Sequence, residues 1–107
     1  MKTNDDKITV DILKAAGFDD ITTPEMKYAH KKMFYIDDYS SWRYVTDKED
    51  DYNNYLMIDV QKGPTNNGAV WNVHLDNNLA ESVGQADIDY VWQFNMLMEI
   101  FGSKFRL

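Results

Sequence analysis

The chain contains no cysteine, which excludes disulfides, thiolate metal sites and thiol catalysis. That fits a reducing cytosol. Apolar runs are short: no stretch approaches the roughly 20 residues that span a bilayer. Residues 1–7 are polar and acidic, without the apolar core of a signal peptide. The expectation is an intracellular, cytoplasmic protein with no membrane partner. Positive charge is also scarce, eleven basic residues standing against eighteen acidic ones for a formal charge of −7. Such a surface repels phosphate backbones, so direct nucleic-acid binding is not expected.

Catalytic signatures are missing as well. There is no G-x-S-x-G, no P-loop and no G-x-G-x-x-G. The five glycines, at 17, 63, 68, 84 and 102, all read as turns and helix ends. His30 and His74 lie in different segments without neighbouring ligands, and no H-E-x-x-H occurs, so both read as surface strand positions. Asp47, Glu49 and Asp51 alternate as in a calcium loop, but Tyr52 stands where the obligatory Gly should be. The sequence therefore predicts no enzyme, no metal and no cofactor.

What is present is aromatic: three Trp, seven Tyr and five Phe in 107 residues. Each ring can bury roughly 150–250 Å², enough for one core in a single domain spanning residues 1–107. A first helix is expected over about 9–16, where Ile8, Ile12, Leu13 and Ala16 share a side. Gly17 closes it and Phe18 folds back onto the core. Residues 19–34 are ambiguous: Thr22-Thr23-Pro24-Glu25 has the form of a helix start, while the second half reads better as strand. Alternation predicts strands at 42–46 and 55–60, joined by a polar acidic loop at 47–54. A Gly/Pro/Asn turn at 61–68 contains Asn67-Gly68, a hairpin signal. It leads to a return strand at 69–76 that turns Trp71, Val73 and Leu75 one way and Asn72, His74 and Asp76 the other. Residues 77–85 read as a connection with a turn at Gly84. A last helix opens at Ala86 or Asp87, runs to Phe101 and stops at Gly102. The expected fold is α+β, about four antiparallel strands packed against a C-terminal helix, with a short N-terminal helix.

Several of these segments resemble a family of small uncharacterised α/β proteins from bacteriophages and integrated mobile elements. The likeness lies in Ala16-Gly17-Phe18, Trp71-Asn72-Val73-His74-Leu75-Asp76-Asn77, Ser82-Val83-Gly84 and Tyr90-Val91-Trp92-Gln93-Phe94-Asn95. It departs from the family pattern at Trp92, more often His, and at Phe94, more often Leu. It covers about a third of the chain. The resemblance implies a phage or mobile-element origin and an α/β fold, and it carries over no site residues.

Two features remain as candidate interaction sites. Between residues 37 and 60 the chain gathers Asp37, Asp38, Asp47, Glu49, Asp50, Asp51 and Asp59 against Arg43 and Lys48 alone. Tyr35, Tyr39, Trp42, Tyr44, Tyr52 and Tyr55 are interleaved as rigid anchors. The last helix carries two apolar stripes. Tyr90, Phe94, Leu97 and Phe101, widened by Val91 and Met98, form one; Trp92, Met96 and Ile100 form a second on nearly the opposite side. The second is either covered by the first helix or the tail, or is an interface. The functional expectation is a non-catalytic accessory protein that binds a protein partner. Its sharpest form is an acidic inhibitor of a basic, nucleic-acid-targeting defence nuclease of the host, similar to an anti-CRISPR. The competing classes are a structural homo-oligomer joined through Trp92, Met96 and Ile100, and a small enzyme with an unrecognised site.

Overall fold

The computed structural model describes residues 5–46, 55–65 and 67–107. Thr9 caps the first helix, its hydroxyl accepting from the Ile12 N–H, and α1 runs Val10–Ala15. Gly17 follows at φ 98, a conformation open to glycine, and Phe18 turns into the core as its sequence position predicts. A two-residue strand, β1 (Asp19–Asp20), precedes a second helix, α2 (Pro24–Phe34). Strands β2 (Ser41–Val45), β3 (Met57–Lys62), β4 (Trp71–Asp76) and β5 (Ser82–Ile88) lead to the last helix, α3 (Val91–Ile100). The fold is α+β: one antiparallel sheet of five strands in the order β1-β2-β3-β4-β5, with helices.

Register divides the sheet cleanly. Trp42, Val60, Val73 and Ala86 are cross-strand neighbours; so are Tyr44, Ile58, Leu75 and Gly84, and Lys62, Trp71 and Ile88. These rows make the core face. Onto it pack Leu13 of α1, Val91, Phe94 and Met98 of α3, and Phe18. The chain end closes the core, with Phe105 stacked on Tyr44 at 4.1 Å, and Leu107 is buried.

Four expectations need correction. The second half of residues 19–34 is helix, not strand. Thr23 caps it through the Met26 N–H, Pro24 opens it, and the run to Phe34 holds no residue that breaks a helix. The connection expected at 77–85, with Gly84 as a turn, is largely the fifth strand, and Gly84 sits inside it opposite Leu75. Only residues 77–81 turn, around the Asn77 side chain, which accepts from the Leu79 and Glu81 N–H groups. Residues 86–88 consequently belong to β5, and α3 starts at Val91. Its inward stripe is Val91, Phe94 and Met98, all fully buried, whereas Tyr90 and Leu97 are half-buried and Phe101 is exposed. The inward face is thus i, i+3, i+7 from Val91, to one side of the stripe expected from Tyr90.

Candidate functional site

The second face of the sheet is polar. Ser41, Gln61, Asn72 and Asp87 form one cross-strand row, and Arg43, Asp59, His74 and Gln85 the next. Apart from Ser41 these residues are half-buried or exposed. Arg43 forks onto Asp59, Nε to Oδ1 at 2.7 Å and a terminal nitrogen to Oδ2 at 3.0 Å. The carboxylate holds the guanidinium pKa above its ordinary value. His74 Nε2 lies 3.0 Å from Asp76 Oδ1.

A directed chain of hydrogen bonds crosses the first row. Tyr39 donates to Gln61 Oε1 at 2.8 Å, the Gln61 amide donates to Asn72 Oδ1 at 3.2 Å, and the Asn72 amide donates to Asp87 Oδ1 at 2.8 Å. Each amide is thereby fixed in one orientation. A shallow depression of about 370 Å³ is lined by Gln61, Pro64, Asn72, Gln85 and Asp87. Across the face the carboxylates Asp59, Asp76 and Asp87 outnumber Arg43, which Asp59 already engages.

The sequence-predicted site residues are distributed over three places. Asp37 and Asp38 are exposed ahead of β2, and Asp38 is ion-paired with Lys62, whose ammonium holds the carboxyl below its usual range. Trp42, expected as an anchor, belongs to the core, its Nε1–H donating to Ser40 Oγ at 3.0 Å. Tyr39 is buried too. Asp47, Glu49, Asp50, Asp51 and Tyr52 lie outside the described residues. Trp92, Met96 and Ile100 stand together on the outer side of α3, exposed by 42%, 53% and 66%. Neither α1 nor the chain end covers them.

Sequence reasoning missed the polar face as a unit. Alternation at Asn72, His74 and Asp76 signalled its centre, but β5 went unread, so Gln85 and Asp87 were left out. His30, expected on a strand, sits in α2 and stacks on Tyr39 at 3.6 Å. Among the described residues, no group of three or more His, Cys, Asp or Glu could hold a metal ion. No helix among them is long and apolar enough to cross a membrane. No family model, curated protein or solved structure matches this chain. Two surfaces stand out among the described residues: a pre-ordered, acid-rich sheet face and a bare apolar helix stripe.

Proposed function

We propose that this chain is a non-catalytic accessory protein that acts by occupying a basic surface of another protein. In its sharpest form it inhibits a nucleic-acid-targeting defence nuclease in the host cytoplasm. The observation that carries the reading is the open sheet face, where carboxylates exceed cations and the intervening amides are already locked. A rigid acidic face meets a basic channel without first ordering its side chains, and its field speeds the encounter. The β4–β5 turn adds the exposed Glu81, next in sequence to Ser82, the partner of Asp76. The sequence between β2 and β3 also holds Asp47, Glu49, Asp50 and Asp51, which lie outside the described residues. The phage or mobile-element setting rests on the resemblance alone.

Cleavage by a panel of guide-loaded nucleases, with and without the protein, tests this. One nuclease should be inhibited, less so at high salt, and Asp76→Lys with Glu81→Lys should restore cleavage. Inhibition of none, or inhibition insensitive to both salt and charge reversal, rejects the proposal.

A second reading, a homo-oligomer, has its own observation in the exposure of Trp92, Met96 and Ile100. Large apolar residues aligned on one helix face are typical of interface cores. Sedimentation velocity decides it: a concentration-dependent oligomer that Trp92→Lys converts to monomer supports it, and a monomer at every concentration removes it.

A further inference from the structure

The helix at α2 assembles a surface that a strand would have dispersed. At 100° per residue, Lys27, Tyr28, Lys31 and Lys32 fall within one side of the helix, and Tyr35 caps its end. All five are exposed, Tyr28 by 68% and Tyr35 by 88%. The opposite side is anchored towards its N-terminal half, where Met26 and Ala29 are half-buried and His30 stacks on Tyr39, while Met33 on the same side is exposed by 66%. The lysine-bearing side thus faces outward from a seated helix.

Its charges are uncompensated within the helix. No carboxylate stands three or four residues from any of the three lysines, and Lys27 and Lys31 are like-charged neighbours one turn apart. None of the three is in a direct ion pair among the described residues, though the hydrogen bonds from Thr22 and, after them, the charge of nearby Lys27 help hold the Asp20 carboxyl below its usual range. Lys31 and Lys32 offset the helix dipole in the last turn, which accounts for neither Lys27 nor the tyrosines. Tyr35 closes the helix at φ 58, the left-handed region. Gly or Asn takes that position at less cost than a bulky side chain. The ring that bears this cost points into solvent.

We infer that this side of α2 is a docking surface for a short acidic segment of a partner protein, with Tyr28 and Tyr35 as anchors. Charge complementarity and length select that occupant. Residues 27–35 rise only about 12 Å along the axis. Asp20 and Glu25 lie in sequence beyond one end, and Asp37 and Asp38 beyond the other. A long phosphate backbone would meet the repulsion of a chain of net charge −7, whereas two or three acidic side chains need only the three lysines. Exposed tyrosines are efficient anchors in protein interfaces because few torsions need be fixed. The inference does not depend on the role given to the open sheet face.

Fluorescence polarisation of a labelled oligoglutamate peptide at low salt tests it, with oligouridylate RNA as the comparison probe. The peptide should bind, and Lys27→Gln, Lys31→Gln and Lys32→Gln together should weaken it roughly tenfold, as expected for three exposed charge pairs. Tyr28→Ser with Tyr35→Gly should also weaken it, while Tyr35→Gly alone holds or raises Tm. Absence of peptide binding, binding unchanged in the lysine variant, or tighter binding of the RNA through the same residues would each overturn the assignment.

Discussion

The Phe101 ring occupies the space that a side chain at Gly84 would fill: a Cβ there would lie 2.6 Å from Phe101 Cζ. The missing side chain in mid-β5 is therefore a seat for the C-terminal end of α3. Gly84→Ala should cost about 1–3 kcal/mol by overpacking. The penalty should shrink below about 0.5 kcal/mol in a Phe101→Ala background, because the clash is with that ring alone. A double-mutant cycle in urea measures the coupling; additive effects would show that the ring does not sit there.

The two sides of α3 should respond oppositely to substitution. Phe94 is fully buried and meets Phe18 and Phe105 edge-on. Phe94→Ala should lose about 3–5 kcal/mol. Trp92→Lys, on the exposed side, should change the stability of the monomer by less than about 1 kcal/mol. Denaturation of both variants at dilute concentration checks this, and a large loss in Trp92→Lys would place that ring in the core.

How far the sequence could be read depended on whether one force or two acted on a segment. At α1, Thr9, the apolar spacing and Gly17 all favour the same short helix. At β4, alternation alone sorts Trp71, Val73 and Leu75 from Asn72, His74 and Asp76. The second half of residues 19–34 reads as strand in the sequence because α2 buries nothing completely, so no sharp apolar stripe marks its period. Local capping by Thr23 and Pro24 decided its start instead. The strand at β5 was hidden because Gly84 serves packing rather than a turn, a role visible only with Phe101 in place. The candidate site followed the same rule: single acidic residues were legible, but the rows that unite them are products of pairing register.

Stability should fall at alkaline pH through Tyr39. Burial pushes its phenol above the ordinary value of 10.0, as does the nearby Asp59 charge, with a hydrogen-bonding neighbour opposing. The folded protein then keeps a proton that the unfolded chain releases. This contribution is complete below about pH 10 and is lost as pH rises through the folded-state pKa. Tyr39→Phe should flatten the alkaline limb of a stability–pH curve. At neutral pH it should cost about 1 kcal/mol, from the lost bond to Gln61. A wild-type curve no steeper than that of the variant above pH 10 would contradict the burial of this phenol.

The two core tryptophans should differ in what their N–H groups contribute. Trp71 Nε1–H donates to the Ile8 carbonyl at 3.0 Å, a buried bond spanning most of the chain. Around it the N-terminal segment is tied to the β5–α3 junction, Ile8 N–H donating to the Asp89 carbonyl and Val91 N–H to that of Asp6. Replacing Trp71 by Phe keeps a ring but leaves the Ile8 carbonyl without its indole donor in a site closed to water. Such an orphaned acceptor costs about 1–3 kcal/mol beyond the lost volume. Trp42→Phe removes a similar volume, but its partner Ser40 Oγ is only half-buried and can turn to solvent. The volume loss is thus common to both changes, and their difference isolates the buried bond. Urea unfolding should find Trp71→Phe less stable than Trp42→Phe by at least about 1 kcal/mol. Hydrogen exchange at the Val91 amide should accelerate in the Trp71 variant alone. Equal losses with unchanged exchange would mean that the N-terminal segment is not held to the sheet by this indole.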